Sequence, residues 1–135
     1  TAGEYYAQAN DEILVVLQTE SPQGVENAEE IYSLPGCDAI FIGPNDLRFQ
    51  MRGPDGVDPS PEEHEAAVQR VIEVGKAVGT PTGIHVMDPE TALERAGQGM
   101  QFLAIGSDLR LMTERAQQVV EQVFPEVVAS DVARY

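Results

Sequence analysis

Residues 38–46 read DAIFIGPND, and this stretch decides the fold because a short apolar run passes through Gly43-Pro44 directly into a helix start. Three further runs have the same character: residues 12–18 (EILVVLQ), 82–87 (TGIHVM) and 101–106 (QFLAIG). Each is rich in Ile, Val, Leu or Phe and does not alternate strictly with polar residues. That pattern is typical of parallel strands covered on both faces, and it predicts four buried strands.

Helical patterns lie between these strands. Apolar residues recur on one face in four groups: Val25, Ala28, Ile31 and Tyr32; Ala67, Val68, Val71, Ile72, Val74 and Val78; Ala92, Leu93 and Ala96; Leu109, Met112, Ala116, Val119, Val120 and Val123. The last helix should end before Pro125, and a further helix is predicted over residues 3–9. Ser21, Ser60 and Asp88 each precede a proline, which is the signature of an N-cap, and Glu63 completes a capping box with Ser60.

The predicted order, α-βα-βα-βα-βα, implies a parallel sheet with helices outside it. Two α/β architectures satisfy this order: a small open doubly wound sheet, or about four β/α units of a (β/α)8 TIM-barrel type fold. Ligands bind at the carboxyl ends of the strands in both. The pattern of elements leaves the choice open.

The composition of the chain disfavours some classes of partner and of cellular location. Residues 1–135 are expected to form a single domain, and the formal net charge of −15 argues against nucleic acid and anionic membranes as partners. The apolar runs are too short to cross a bilayer. The single cysteine, Cys37, cannot form an internal disulfide, so a cytoplasmic location is expected.

Two carboxylates follow neighbouring predicted strands. Glu20 comes just after the first strand and Asp46 just after the second. Because adjacent strands lie about 4.8 Å apart, both side chains can reach one hard divalent cation, with water and substrate completing its coordination. The alternative is that each is a solvated acid at a helix N-terminus, where the helix dipole favours negative charge.

The residues around these acids suit an anionic substrate. Gly43-Pro44 allows close approach of the backbone, and the N–H groups of Asn45 and Asp46 open a short helix, which favours binding of a carboxylate. Gln18 stands two residues before Glu20 and therefore points to the same side of the strand. We predict that Gln18 contacts the same ligand.

Two motifs, QTES at residues 18–21 and IGPNDL at residues 42–47, resemble those of the HpcH/HpaI aldolase family within the citrate lyase β superfamily. Residues 87–89 (MDP) and 105–108 (IGSD) resemble the family's last two strand ends. The resemblance implies a (β/α)8 barrel of which this chain is the carboxyl-terminal half. It also implies a homo-oligomer.

The resemblance further implies a metal-dependent (class II) aldolase, a lyase that cleaves or forms a C–C bond of a 4-hydroxy-2-oxo acid to give pyruvate and an aldehyde. Glu20 and Asp46 are then the ligands of Mg²⁺, Mn²⁺ or Co²⁺, and Gln18, Gly43, Pro44, Asn45 and Asp46 line the substrate site. The family's His base and its substrate-orienting Arg come from earlier strands. No catalytic base is therefore expected in this chain. The alternatives are an acyl-CoA lyase of the citrate lyase β type and a non-catalytic metal-binding half-barrel.

The other polar residues are weaker candidates for a role in catalysis or substrate binding. His64 is expected to be an exposed helix residue, and His85 a packed, hydrogen-bonded strand residue rather than a base. Arg48 and Arg52 either attract an anionic substrate at the mouth of the site or play a plain surface role. The only lysine, Lys76, is predicted within a helix, so the chain offers no Schiff-base lysine at a strand end. Residues 129–135 are expected to be a tail or an intersubunit contact.

Overall fold

The four predicted strands pair side by side in chain order. A computed structural model describes residues 1–125. Its elements are α1 (Ala2–Glu12), β1 (Val16–Thr19), α2 (Pro22–Glu26), α3 (Ala28–Tyr32), β2 (Ala39–Ile42), α4 (Pro44–Gln50), α5 (Pro61–Val78), β3 (Thr82–Val86), α6 (Pro89–Gly97), β4 (Phe102–Ile105) and α7 (Asp108–Val123).

The strand order separates the two architectures that the sequence left open. All three neighbouring pairs are parallel, and the order is β1-β2-β3-β4. A doubly wound sheet reverses its strand order at a switch point, and this sheet does not. Consecutive parallel order is the arrangement of successive β/α units in a barrel. The predicted α/β fold of the (β/α)8 type is confirmed, with four such units present.

One face of the sheet forms the core with the helices. Alternate strand residues point to this face, among them Ile40, Ile42 and Ile84, each no more than 2% exposed. They pack against the buried stripe of α5, which comprises Val68, Val71, Ile72 and Val74. Tyr32 of α3 is also buried there, and its hydroxyl hydrogen-bonds that of Thr19 at 2.8 Å.

The opposite face of the sheet is open. Gln18, Phe41, His85 and Phe102 point to it, and none of the four is buried. The rings of Phe41 and Phe102 lie 5.1 Å apart across Gly83, which is paired with both residues in the sheet. A Cβ at Gly83 would collide with the backbone of Phe102. In a closed barrel this face lines the interior.

The predicted helix starts are confirmed. Ser60 accepts a hydrogen bond from the Glu63 N–H at 3.1 Å, and the Glu63 carboxylate accepts one from the Ser60 N–H at 2.8 Å. Ser21 and Asp88 cap α2 and α6 through the N–H groups of Gly24 and Thr91. These caps satisfy donors that the first helical turn cannot pair internally.

Two element boundaries and the burial of one residue differ from the prediction. The strand expected from residue 12 begins at Val16, because α1 continues to Glu12 rather than ending at residue 9. The stripe from Val25 to Tyr32 belongs to two helices, which are separated at Asn27. Leu93 was expected on a buried helix face, but it is 75% exposed, and only Ala92 of α6 is buried.

Helix α7 ends at Val123, before Pro125 as predicted, but it packs on no core. None of its residues is buried, and Leu109, Met112 and Val123 are each at least 60% exposed. Within residues 1–125, no helix has the length and apolar character that crossing a membrane requires. The predicted tail or contact at residues 129–135 lies outside the described residues.

Candidate functional site

The carboxylate of Glu20 lies against Gly43. Glu20 directly follows β1 and Gly43 directly follows β2, so both stand at the carboxyl edge of the sheet. A Cβ at position 43 would collide with Oε1 of Glu20, which shows that the carboxylate occupies the space that the absent side chain leaves. The glycine thus lets the acid from β1 reach the end of β2, three residues before Asp46.

Gln18 orients this carboxylate. Its Nε2 donates a 2.8 Å hydrogen bond to Oε1 of Glu20. The two side chains share one side of the strand, as their spacing predicted. The second carboxylate oxygen of Glu20 and the amide oxygen of Gln18 make no hydrogen bond to the part of the chain that the structure describes. Both oxygens are therefore available to a ligand.

The first turn of α4 presents two backbone donors beside Glu20. The first helical hydrogen bond of α4 runs from the Leu47 N–H to the Gly43 carbonyl, at 2.9 Å. The N–H groups of Asn45 and Asp46 precede it, Pro44 has no N–H, and Gly43 supplies no side-chain cap. Asn45 and Asp46 are exposed, whereas Leu47 is fully buried and anchors the helix.

The donors here suit a hard cation that keeps open positions. Within residues 1–125, no three side chains of His, Cys, Asp or Glu cluster into a site made of protein ligands alone. Glu20 and Asp46 instead offer carboxylate oxygens from two neighbouring strand ends. Mg²⁺ and similar ions are often held by one or two carboxylates, with water and substrate completing the shell, so this set of residues fits such an ion.

The two histidines differ in how well the sequence predicted them. His85 is half-buried and its Nε2 donates to the Gly106 carbonyl at 2.7 Å, which confirms the prediction of a hydrogen-bonded strand residue. His64 was expected to be exposed, and this prediction was wrong. It is half-buried, and its Nε2 lies 2.9 Å from the carbonyl oxygen of Pro44. Its place four residues before buried Val68 was the signal that the apolar stripe continues through it.

Arg48 and Arg52 are tied to a loop rather than free at the site. Both pair with Asp58, Arg52 through its Nε and Arg48 through Nη1 at 4.0 Å. The hydrogen bond from Arg52 holds the pKa of Asp58 below its usual value. The guanidinium of Arg52 also lies over the ring of Phe49, 4.4 Å from its centroid. These contacts favour the surface role over the substrate role.

Neither Cys37 nor Lys76 belongs to the site. Burial raises the pKa of the Cys37 thiol, and the nearby Asp38 raises it further, so the thiol is protonated and unreactive at neutral pH. Lys76 lies on α5, and its side chain stands beside Gly99, ahead of β4. That is the amino end of the strands, opposite Glu20, as expected for a residue without a role in Schiff-base chemistry.

Residues 2–114 match the family model described as HpcH/HpaI aldolase/citrate lyase. A hydroxypyruvate/pyruvate aldolase of Chromohalobacter salexigens is 37% identical over 119 residues, which are 88% of this chain and 46% of that protein. A 5-keto-4-deoxy-D-glucarate aldolase of Shigella dysenteriae is 34% identical over 121 residues, 90% of this chain and 46% of that protein.

A solved HpcH/HpaI aldolase/citrate lyase family protein from Burkholderia cenocepacia superposes with a TM-score of 0.82 and 28% identity. The match covers 91% of this chain and 47% of that one. The chain therefore spans about half the length of the curated relatives and of the solved structure that it matches.

Proposed function

Because the chain belongs to the HpcH/HpaI aldolase/citrate lyase family, we propose that it forms the metal- and substrate-binding half, the carboxyl-terminal one, of an aldolase barrel. The reaction cleaves or forms a C–C bond of a 4-hydroxy-2-oxo acid, with pyruvate and an aldehyde as the products of cleavage. The observation that carries the proposal is the contact of the Glu20 carboxylate with Gly43, at the start of the helix that bears Asp46.

Glu20 and Asp46 hold the divalent ion in this proposal. Their oxygens suit Mg²⁺, Mn²⁺ or Co²⁺, and Gln18 restricts Glu20 to one orientation. When bound, the ion supplies Lewis-acid chemistry, since it stabilises the negative charge that develops on the keto oxygen of the pyruvate unit. Asp46 stands in the first turn of α4, directly after Asn45.

The α4 start binds the carboxylate of the substrate in this proposal. The Asn45 and Asp46 N–H groups, which make no helical hydrogen bond, donate to the carboxylate oxygens. The amide of Gln18 contacts the same ligand from β1. Because those contacts are made by backbone and by neutral donors, they orient the substrate without adding charge to the site.

The base comes from outside this chain. Nε2 of His85 is engaged with the Gly106 carbonyl, and that of His64 with the Pro44 carbonyl, so neither histidine offers this nitrogen to a substrate. Lys76 is remote from the strand ends. The His base and the orienting Arg implied by the family would complete the site from the other half of the barrel.

A pyruvate-release assay tests the proposal. The full-length gene product is incubated with a 4-hydroxy-2-oxo acid, with and without EDTA. The Glu20→Gln variant is assayed in parallel. We expect turnover that EDTA abolishes, that Mg²⁺ or Mn²⁺ restores, and that Glu20→Gln lacks. Metal binding without turnover would instead support the non-catalytic half-barrel. Turnover only of an acyl-CoA thioester would support the citrate lyase β type.

The remaining features of the proposal concern the setting of the enzyme. Its partners are a small 2-oxo acid and an aldehyde. The negative net charge disfavours nucleic acids and anionic membranes as further partners. The exposed apolar face of α7 supports a homo-oligomer. A single, half-buried cysteine supports a cytoplasmic location.

A further inference from the structure

His64 links the long helix α5 to the first turn of α4. Its Nε2 lies 2.9 Å from the carbonyl oxygen of Pro44. A carbonyl oxygen only accepts, so Nε2 carries the proton and donates. Among residues 1–125, this is the one side-chain hydrogen bond made to the Pro44–Leu47 turn.

The bonded carbonyl belongs to the same peptide unit as the N–H of Asn45. That unit is planar and trans, so its C=O and N–H point in opposite directions. A donor on the carbonyl therefore fixes the direction of the N–H. It also polarises the unit, because hydrogen bonds made at the two ends of one peptide strengthen each other.

The direction of this peptide bears on the site. The Pro44 carbonyl points to α5, which packs on the covered face of the sheet through Val68 and Val71. The Asn45 N–H consequently points away from α5 and back along α4, towards the amino end of that helix. Helix α4 has only seven residues and no side-chain cap, so its first turn is held by buried Leu47, by the bond from the Leu47 N–H to the Gly43 carbonyl, and by His64.

We propose that His64 is a positioning residue, which fixes the Pro44–Asn45 peptide so that the Asn45 N–H faces the substrate carboxylate and Asp46 faces Glu20. The inference rests on the proposed function and adds to it a residue that lies outside the strand ends. His64 touches neither substrate nor metal. Its effect passes through one backbone unit.

Three variants separate positioning from plain stability. His64→Ala removes the donor, and His64→Gln keeps an N–H donor on a side chain of similar reach. Glu65→Gln, one residue along α5, is the matched control, since it weakens the ion pair of α5 with α6 and leaves the Pro44 contact intact. All are made in the polypeptide as its gene encodes it.

The first measurement is oxalate binding to the Mn²⁺-loaded protein by calorimetry, together with the melting temperature. We expect His64→Ala to weaken oxalate binding about three- to tenfold, which corresponds to the loss of one hydrogen bond, and His64→Gln to recover most of it. Glu65→Gln should lower the melting temperature and leave oxalate affinity unchanged. In the Mg²⁺-loaded protein, the amide nitrogen resonance of Asn45 should move in His64→Ala and stay in place in Glu65→Gln.

The outcomes distinguish this inference from the function on which it rests. If the wild type binds no oxalate in the presence of Mn²⁺, the proposed function falls and the inference falls with it. If the wild type binds oxalate and His64→Ala binds it equally well, with the Asn45 resonance unmoved, only the inference is overturned. If His64→Ala and Glu65→Gln have the same melting temperature and lose the same oxalate affinity, the role of His64 is structural. That result would also overturn the inference.

Discussion

Arg95 of α6 forms a bidentate ion pair with Glu65 of α5. Its Nη1 and Nη2 each lie 2.6 Å from a different carboxylate oxygen. The Arg95 side chain is only 11% exposed, whereas that of Glu65 is 40% exposed. Nη1 of Arg95 also donates to Gln98, and its Nε is buried without a partner among the described residues. The cation is thus more enclosed than its partner, and it depends on Glu65 for its charge compensation.

Glu65→Gln should destabilise the protein by about 1–3 kcal/mol, because an enclosed guanidinium then loses its charged acceptor. The measurement is the urea midpoint of unfolding. Glu114→Gln is the matched control, since its pair with Arg110 is exposed on both sides and lies within one helix. A surface pair of this kind contributes about 0–1 kcal/mol. Equal losses in the two variants would contradict the special role of the α5–α6 pair.

The same pair predicts a pH dependence. The Arg95 hydrogen bonds hold the pKa of Glu65 below its ordinary value of 4.5. The pair therefore stabilises the folded state fully above that pH, and its contribution is lost as the pH falls through the lowered folded pKa. The stabilities of wild type and Glu65→Gln should differ at pH 7 and converge in acid. A difference that persists once Glu65 has been protonated in the folded state would show that packing, rather than charge, carries the effect.

Glu20→Gln and Asp46→Asn should each weaken Mg²⁺ or Mn²⁺ binding by at least about tenfold, because each removes one of two anionic ligands of a hard cation. Titration calorimetry measures the affinity, and circular dichroism checks that the fold persists. Asp58→Asn serves as the control, since this acid is paired with Arg48 and Arg52 and is not one of the proposed metal ligands. Unchanged metal affinity in both site variants would refute the assignment.

Gly43→Ala should displace the Glu20 carboxylate, because the added Cβ would occupy the space that Oε1 now fills. We expect weaker metal binding in a folded protein, measured by the same calorimetry. Gly97→Ala is the matched control, since no atom lies within 4 Å of the Cβ position there. That helical substitution should leave metal affinity unchanged and stabilise the fold by up to about 1 kcal/mol.

Oxalate, a mimic of the pyruvate enolate, should be found at the Asn45 and Asp46 N–H groups in a metal-loaded crystal, and should also touch the metal. The physical reason is the pair of unbonded donors that opens α4 directly beside Glu20. Diffraction from crystals grown with Mn²⁺ and oxalate provides the check. Oxalate located away from both the metal and these N–H groups would contradict the proposed substrate site.

The 135-residue chain on its own should neither remain a monomer nor turn over at the rate of a complete aldolase. Its sheet exposes Phe102 on the open face, and α7 exposes Leu109 and Met112. Burying several hundred Å² of such surface is worth many kcal/mol at about 25 cal/mol per Å², so association is strongly favoured. Light scattering and a pyruvate assay provide the measurements. A stable monomer with full activity would contradict the half-barrel interpretation.

Local chemistry explains what the sequence predicted well. Ser60 and Glu63 interact within one turn, so their capping box could be identified without knowledge of the rest of the chain. Gln18 and Glu20 share a side because strand residues alternate, although the hydrogen bond between them was not itself predicted. That Glu20 and Asp46 bind one ion together stays a prediction.

Long-range contacts explain what the sequence did not predict. The apolar residues 13–15 resemble strand, but regular pairing begins only at Val16, which lies opposite Ala39 of a strand 23 residues later. The spacing of His64 to Val68 within α5 indicates that His64 is partly buried, but its hydrogen-bond partner, the Pro44 carbonyl, comes from another helix and is not contained in that pattern. The contact of the Glu20 carboxylate with Gly43 likewise depends on how the ends of two strands approach each other in space.

Gly83 has a consequence for how this sheet can change over evolutionary time. The Phe41 and Phe102 rings meet above a residue that has no side chain, and a methyl group there would strike the Phe102 backbone. Position 83 is thus constrained by the path of the β4 backbone rather than by the two rings. A descendant that acquires a side chain at 83 must shift β4, because the atoms in the way are the backbone and Cβ of Phe102, which every residue but glycine keeps. Across diverged sequences, glycine at 83 should therefore persist even where the rings at 41 and 102 are replaced, and it should be lost only where β4 is displaced.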